Sequence, residues 1–390
     1  MSRNYDEAEH VTALRENVRR FLDRHAPREK ARQWDRENIF PRDVFAAMRE
    51  LGIFGMTVPE EYGGSGIDIS ATMAVIEELA RRSTALACPY IMAVCYAGMN
   101  LAESGSAAQR QALLPKLAAG ELIFAYGLSE PNVGGDLAMV ETVARREGNR
   151  IVLNGAKRWC TGAHIADYIF CLVRTGPREE KYRNLSILLV PPNLPGITIT
   201  PLGHLGIRGV ETKDVTFDDV TLSDDAILGG PDMWNKGWSQ LAGRALEVEK
   251  LELSAVALGL SGAAVEDAWA YAEMRTQFGK PIGQHQVIRH ALVDARTKLQ
   301  AMRHMLFHAA WLADQNRPCS VESSMAKLFC CEGAAEVTLA CQRVAGAYGL
   351  SDGMDFERYV RDAISLPIVG GSSNMQRNNI ANRLKLAERN

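Results

Sequence analysis

Residues 243–262, GRALEVEKLELSAVALGLSG, carry charged side chains in a run of otherwise small and apolar residues. The charged residues are Glu247, Glu249, Lys250 and Glu252. A carboxylate in a dry, apolar environment becomes a stronger base, because desolvation disfavours its charged form. Such a group can remove a proton from a carbon atom next to a carbonyl. We therefore take this segment as the first candidate for a catalytic base.

Helical periodicity leaves two of these carboxylates open as the base. Glu249 falls on one helix face with an apolar stripe that begins at Leu253, where an unpaired carboxylate is costly. Glu247 falls on a face with Leu251, so periodicity alone does not exclude it. A glutamate on a helix is most often solvated or paired with a lysine, and that reading applies to both residues.

Two further segments place polar and aromatic groups where a ligand could approach. In SEPNVGGD (129–136), Ser129 offers a hydroxyl, and Gly134 and Gly135 leave backbone N–H groups accessible, although a surface turn has the same composition. In KRWCTGAH (157–164), Trp159 and Thr161 are expected to project from one side of a strand. The alternative for Trp159 is a half-buried position in a β core.

Composition limits the class of protein and its partners. With 390 residues, 47% of them hydrophobic, the chain can bury a large core in roughly two or three domains. A net charge of −3 argues against nucleic acid or an anionic membrane as the main partner. The eight cysteines form no CxxC pair, which indicates reduced thiols, a cytoplasmic location and no metal site. We find no signal peptide and expect no run of about 18–20 apolar residues that could span a membrane.

The pattern of elements changes twice along the chain. Helical periodicity dominates residues 1–122, short β-branched runs dominate residues 123–233, and long helices return over residues 234–390. The last part predicts helices over 237–274, 285–316, 321–345 and 372–388. The sequence therefore predicts an α+β protein with three domains at these boundaries.

Four motifs in the same order resemble those of the flavin-dependent acyl-CoA dehydrogenase family. They are YGLSEPNVGGD, LNGAKRWCTGAHIAD, MRTQFGKPIGQHQ and FERYVRDAISLPIVGGSSNMQR, and the match runs the whole length of the chain. The resemblance implies an N-terminal helical domain, a central β-barrel domain and a C-terminal four-helix bundle. It also implies FAD as cofactor, an acyl-CoA substrate, an electron-transferring flavoprotein as acceptor and a homotetramer.

The resemblance also implies roles for individual residues. Contacts to FAD are expected from Tyr126, Leu128, Ser129, Trp159, Thr161, Arg275, Gln286, Arg343, Gly346, Ala347, Ser372 and Asn374. Contacts to substrate are expected from Gly135, Glu247, Lys250, Gly370 and Gly371. Several of these depart from the family pattern, since Gly135 replaces a hydroxyl residue, Arg343 a glutamine, Ala347 a glycine and Lys250 an arginine. Arg275 would reach the FAD of a neighbouring subunit.

The position of the catalytic base departs most from the majority of the family. Most members carry a glutamate where this chain has Gly370. A minority branch, which includes isovaleryl-CoA dehydrogenase, places the base on the long helix instead. Its spacing of 26 residues before Arg275 leads to Glu249. By this resemblance Glu249 removes the α-proton, flavin N5 takes hydride from the β-carbon, and the N–H of Gly370 donates to the thioester oxygen.

Other functions remain open at this point. The same fold could serve an enoyl-CoA reductase, a flavin monooxygenase, a dehydrogenase of carrier-protein thioesters, or a non-enzymatic flavoprotein binding module. Residues 88–102 form the expected acyl-pocket helix and contain no basic residue. Cys88 stands where glutaryl-specific relatives have an arginine, so we expect an uncharged acyl chain.

Overall fold

The computed structural model describes residues 7–386. Its first part is helical, and side-chain caps are present at the start of two of the described helices. Asp68, for example, accepts a hydrogen bond from the backbone N–H of Ala71 at 2.8 Å and so begins a long buried helix. The helices are α1 (Glu9–His25), α2 (Arg28–Glu37), α3 (Arg42–Ala47), α4 (Ile69–Arg82), α5 (Thr84–Ile91), α6 (Met99–Ser104) and α7 (Ala107–Ala118).

Helices α5 and α6 are joined without a loop by a π-helical segment, Met92–Gly98. The whole run Thr84–Ser104 is long and apolar enough to cross a membrane by length and composition, with a mean hydropathy of 1.4. The expectation that no run reaches this length was therefore wrong, because small residues extend the apolar stretch without adding charge. Of this window, 83% is buried inside the fold, where it forms part of the core.

The middle of the chain forms one curled sheet of seven strands. The strand order is β1-β4-β2-β3-β7-β6, with β5 paired to β4. Strand β1 runs parallel to β4, whereas the β2–β3, β3–β7, β4–β5 and β6–β7 pairs are antiparallel. The strands are β1 (Phe124–Gly127), β2 (Val143–Glu147), β3 (Arg150–Lys157), β4 (Tyr168–Arg174), β5 (Leu185–Val190), β6 (Ile197–Pro201) and β7 (Lys213–Ser223).

Helices of 5 to 31 residues pack together in the last part of the chain. They are α8 (Gly237–Leu241), α9 (Arg244–Met274), α10 (Gln286–Asp314), α11 (Ser320–Ala345), α12 (Phe356–Ala363) and α13 (Ser373–Arg383). A two-stranded turn, β8 (Thr276–Gln277) and β9 (Lys280–Pro281), separates α9 from α10. The single helix predicted over 237–274 is two helices, because the backbone of Gly243 is extended. The α+β fold class is confirmed.

Helix α9 is the central element and is packed on several sides. It contacts α10 and α11 of the last part and α4 of the first part. Gly259 permits the α4 contact, since a Cβ there would lie 2.4 Å from the carbonyl oxygen of Glu77. From Ser254 to Val265 every residue of α9 is buried. Periodicity could not separate the faces of this helix because most of them are buried.

Candidate active site

The first turns of α9 meet the loop before α13 at Glu249 and Gly370. A Cβ built on Gly370 would lie 3.6 Å from Glu249 Oε1 and 2.4 Å from Leu253 Cδ1. Gly370 has φ +58°, a backbone conformation that favours glycine. Its backbone N–H has no hydrogen-bond partner among residues 7–386. A carboxyl oxygen and an unpaired peptide N–H therefore lie beside the same glycine.

The surroundings of Glu249 make its carboxylate a stronger base than usual. Burial raises the pKa of Glu249 above its ordinary value. The Tyr96 hydroxyl and the positive charges of Lys327 and Lys250 act in the opposite direction and reduce this rise in pKa. The side chain is only partly buried, so a ligand in the gap beside Gly370 could reach it.

Lys327 fixes the loop on both sides of Gly370. Its ammonium group donates to the carbonyl oxygen of Val369 at 2.6 Å and to that of Gly371. The residue is 1% exposed, and burial lowers the pKa of Lys327, although the nearby Cys331 and Glu249 oppose this shift. A single buried cation thus holds the loop in place and stabilises the ionised form of Glu249.

Glu247 points to a different part of the molecule. Two residues along an α-helix correspond to a rotation of about 200°, so Glu247 and Glu249 cannot face the same loop. Glu247 instead accepts a hydrogen bond from the Cys319 thiol, with 3.6 Å between Sγ and Oε2. Of the two carboxylates left open by periodicity, the geometry places Glu249 beside Gly370. Lys250 is buried, and its pKa is lowered by that burial.

A buried ion pair anchors the turn that carries Ser129. Lys157 Nζ lies 2.7 Å from Glu130 Oε1 and 3.1 Å from the carbonyl oxygen of Leu128. The side chains of Lys157 and Glu130 are 0% and 2% exposed. The Ser129 carbonyl accepts from the N–H of Arg158 at 2.9 Å. These contacts fix the backbone on both sides of Ser129, whose hydroxyl has no partner among the described residues.

Trp159 does not lie on a strand as predicted. Strand β3 ends at Lys157, and Trp159 follows in a turn with φ +66°. The turn is held by a hydrogen bond from the Cys160 N–H to the Lys213 carbonyl at 2.9 Å. The indole is 55% exposed, so the half-buried β-core alternative does not apply. Thr161 lies in the same turn, with its hydroxyl 3.1 Å from that of Thr212.

The SEPNVGGD loop lies next to the start of α13. A Cβ on Gly135 would be 3.6 Å from Met375 Sδ. Ser372 begins α13 and accepts a hydrogen bond from the N–H of Met375, while Asn374 is exposed. The Gly371 carbonyl accepts from Gln376 Nε2 at 2.8 Å. The predicted cofactor loop and the loop containing Gly370 are therefore neighbours in the fold.

Tyr126 lines the same region from strand β1. Its ring packs against Tyr96 at 4.4 Å and Phe170 at 4.7 Å between centroids. Asn100 Nδ2 donates to the Tyr126 hydroxyl at 2.9 Å. Because Tyr96 also interacts with Glu249, this aromatic cluster connects the sheet to the first turns of α9.

A second group of predicted cofactor residues lies at the far end of α9. The Arg275 guanidinium packs over the ring of Tyr348 at 5.5 Å, which brings the turn after α9 next to the segment after α11. Gln286 and the neighbouring residues Arg343, Gly346 and Ala347 are all exposed. Arg275 follows Glu249 by 26 residues, which is about 39 Å along a helix. The structure therefore does not bring Arg275 together with Glu249 within one chain.

Family models cover nearly the whole chain in three consecutive parts. The N-terminal, middle and C-terminal domains of acyl-CoA dehydrogenases match residues 8–121, 125–220 and 235–385. The chain belongs to the acyl-CoA dehydrogenase family. The resemblance inferred from the four motifs is confirmed, and the protein is an oxidoreductase.

Individual members of the acyl-CoA dehydrogenase family are similar over most of their length. A probable acyl-CoA dehydrogenase YngJ from Bacillus subtilis is 34% identical over 98% of this chain and 99% of its own. The human mitochondrial short-chain specific acyl-CoA dehydrogenase is 36% identical over 91% of this chain and 85% of its own. A glutaryl-coenzyme A dehydrogenase structure in complex with glutaryl-CoA has a TM-score of 0.92 at 32% identity, over 99% of this chain and 98% of that one.

The residues around Ser129 fit the flavin that acyl-CoA dehydrogenases use. An exposed indole at Trp159 offers an aromatic face, and the unpaired Ser129 hydroxyl lies in the adjoining turn to hydrogen-bond a polar ring edge. Two supports of this site were not identified from the sequence. They are the Glu130–Lys157 pair and Lys327. The sequence signal that could have found them is a lysine in an otherwise apolar element, which is strand β3 for Lys157 and helix α11 for Lys327.

The pH dependence of substrate oxidation should report the pKa of Glu249. Since only the ionised carboxylate can accept a proton, flavin reduction should increase as pH rises through this raised pKa. Lys327→Met removes a charge that lowers the pKa of Glu249, so the pH at which flavin reduction increases should become higher. Lys327→Arg keeps the charge and should leave this pH nearly unchanged. Anaerobic flavin reduction measured across pH checks this, and the same pH in Lys327→Met as in the unaltered protein would contradict it.

Proposed function

We propose that this protein oxidises an acyl-CoA thioester to the 2-enoyl-CoA, with Glu249 as the base. The observation that carries the proposal is the position of Glu249 Oε1 beside Gly370, whose N–H has no partner in the part of the chain that the structure describes. This arrangement supplies a proton acceptor and a hydrogen-bond donor for a thioester lying between them. FAD is the cofactor, and when bound it accepts the hydride that leaves the β-carbon.

The residues of the chain perform the proton transfer and the positioning. Glu249 takes the α-proton, the electron pair of that C–H bond forms the new C=C bond, and the β-hydrogen leaves as hydride. The Gly370 N–H donates to the thioester oxygen, where negative charge develops as the α-proton leaves. Lys327 keeps Gly370 in place through its two carbonyl contacts. Base and oxyanion donor are thus separate residues.

The complete cofactor site is proposed to form between two copies of the chain. The distance of about 39 Å from Glu249 to Arg275 is too large for both to serve one flavin site within a chain. Exposed apolar side chains occur close to Arg275 in the sequence and close to its partner Tyr348, namely Met274, Phe278, Val287 and Leu350 at 75%, 93%, 72% and 75%. A patch of this kind favours a subunit contact. We propose that the assembly is a homotetramer. We also propose that an electron-transferring flavoprotein reoxidises its flavin.

Replacing Arg275 with alanine should weaken FAD retention and the oligomer together. A ligand shared between subunits stabilises both, so loss of one contact reduces both affinities. Light scattering and the flavin absorbance of the gel-filtered protein measure the two effects, and Arg317→Ala, in the loop after α10, serves as the control. Arg317→Ala should keep both the flavin and the oligomer. A fully flavinated monomer, of the unaltered protein or of Arg275→Ala, would contradict the shared site.

Anaerobic mixing with a panel of acyl-CoA thioesters tests the proposed reaction. Bleaching of the flavin absorbance with formation of a 2-enoyl-CoA supports the dehydrogenase. Oxygen uptake driven by NAD(P)H would support a monooxygenase instead, and reduction of enoyl-CoA alone would support a reductase. Activity only on carrier-bound thioesters, or none on any thioester, would favour the carrier-protein and binding-module alternatives.

A further inference from the structure

Glu252 is a second buried carboxyl in the same helix that the proposed reaction does not use. It is 0% exposed, and neither carboxyl oxygen has a partner among the described residues other than the thiol of Cys95, which is a weak donor. Burial, followed by the nearby charge of Glu249, raises the pKa of Glu252 well above its ordinary value. A buried carboxyl without a strong donor is destabilising, so its presence needs a reason.

Glu252 lies on the closed side of Glu249. The two residues are three apart on α9, so their side chains leave the helix on neighbouring parts of one face. Glu247 and Glu249 are partly exposed, whereas Glu252 and the residues from 254 to 265 are buried. A chain bound with its α-carbon at Glu249 would pass Glu252 if it extended along this helix face into the protein.

The π-helical segment Met92–Gly98 packs against α9 at this depth. Cys95 is the polar group next to the Glu252 carboxyl, and burial raises the pKa of that thiol as well. Lys327 and Lys250 affect the pKa of Glu249 but are not among the groups that shift the pKa of Glu252. Within residues 7–386, no cation is among the groups that shift the pKa of Glu252, and a thiol is a weak donor that cannot satisfy two carboxyl oxygens.

We infer that Glu252 selects acyl chains that carry a hydrogen-bond donor, a hydroxyl or an ammonium group, at their far end. This inference rests on the proposed function and names the substrate class of the same site. A hydroxyl satisfies the carboxyl as donor and acceptor, and an ammonium group also compensates the charge of the carboxyl once the carboxyl is ionised. The ammonium alternative departs from the uncharged chain that the sequence predicts. A carboxylate at that end would be repelled by the ionised Glu249 and would find no cation among the groups that shift the pKa of Glu252. The absence of a basic residue from 88–102 agrees with this exclusion.

The spacing of the two carboxyls sets the length of the preferred chain. The Cβ atoms of residues three apart on a helix are about 5–6 Å apart, and we take this as the spacing of the two side chains. With carbon–carbon bonds of about 1.5 Å, this distance corresponds to roughly four bonds of a zigzag chain counted from the α-carbon. In a 5-hydroxypentanoyl thioester the hydroxyl oxygen is four bonds from the α-carbon, so it reaches Glu252.

Three thioesters of equal size test the inference on the FAD-containing enzyme. They are 5-hydroxypentanoyl-CoA, freshly prepared 5-aminopentanoyl-CoA and hexanoyl-CoA, which differ only in the terminal OH, NH₃⁺ or CH₃ group. At least one donor-bearing thioester should have a kcat/KM about tenfold or more above that of hexanoyl-CoA, because a site built for a donor rejects an analogue without one. The comparison of hydroxyl with ammonium then identifies which donor the pocket takes.

Two variants connect this preference to Glu252 itself. Glu252→Leu should reverse the ratio in favour of hexanoyl-CoA, and Glu252→Gln, whose amide oxygen still accepts, should keep part of the preference. Because the readout is a ratio within one protein preparation, a partial loss of folded enzyme does not affect it. Equal or better turnover of hexanoyl-CoA by the unaltered enzyme, with the same ratio in Glu252→Leu, would overturn the inference and leave the proposed function intact. Failure of all three thioesters to bleach the flavin would overturn both.

Discussion

Replacing Glu249 with glutamine should abolish most flavin reduction by acyl-CoA while leaving the protein folded and FAD bound. Glutamine keeps the size and polarity of the side chain but cannot accept the α-proton. The loss expected for a general base is on the order of 10²- to 10⁴-fold in the rate of reduction. Anaerobic stopped-flow absorbance at saturating substrate measures it. Binding of a 2-enoyl-CoA should persist, because the Gly370 N–H is unaffected.

Glu247→Gln is the matched control two residues away on the same helix. Glu247 contacts Cys319 and does not face Gly370, so this variant should retain near-normal reduction. The reverse result, with Glu247→Gln inactive and Glu249→Gln active, would assign the base to Glu247. Adding Gly370→Glu to Glu249→Gln offers a carboxylate from the opposite wall. Rescue is expected only after Leu253→Ala, since a Cβ at position 370 would lie 2.4 Å from Leu253 Cδ1.

Replacing Lys157 with methionine should cost about 3–5 kcal/mol of unfolding free energy, because it leaves the carboxylate of Glu130 buried and unpaired. Burial alone would raise the pKa of Glu130, but the charge of Lys157 and hydrogen bonds from Lys157, Thr142 and Glu141 outweigh it and lower the pKa. The variant should also lose FAD more readily, since Lys157 holds the Leu128 carbonyl beside Ser129. Chemical denaturation and flavin content measure the two effects.

The pH dependence distinguishes an unpaired charge from a simple loss of packing. Without Lys157 the folded-state pKa of Glu130 is expected to rise above its unfolded value, so the variant loses stability as pH increases through that range. The stability deficit should therefore shrink toward acidic pH. Glu130→Gln/Lys157→Met removes both charges and should recover part of the loss. A deficit that is independent of pH and unchanged in the double variant would refute the role of the ion pair.

The sequence predicted the parts of the site that depend on local chemistry. The four motifs led to the family, and the spacing from Arg275 led to the glutamate that lies beside Gly370 in the fold. Periodicity could not make the same choice, because α9 is buried on most of its faces. The decisive fact is a contact between the start of α9 and a loop about 120 residues later in the chain.

Other features depend on contacts that no local pattern contains. The reading of Trp159 as a strand residue was wrong, because the turn after β3 is held by Lys213 from another strand. Lys327 lies in an apolar helix, and the sequence does not show what it binds, because its target carbonyls lie in the loop before α13. In the sequence Glu252 is one charged residue among several. Only the fold shows that it is buried and that its carboxyl oxygens lack a strong hydrogen-bond donor among the described residues.

Hydrogen exchange at the α-carbon tests the central claim, that Glu249 is the base, most directly. A 3-thia-acyl-CoA has sulfur in place of the β-carbon, so it can lose an α-proton but has no β-hydride to transfer. In D₂O the unaltered enzyme and Glu247→Gln should exchange the α-hydrogens of this analogue, as measured by mass spectrometry. Glu249→Gln should exchange them more slowly, by a factor on the order of 10² or greater. Exchange by Glu249→Gln at the rate of the unaltered enzyme would contradict the account.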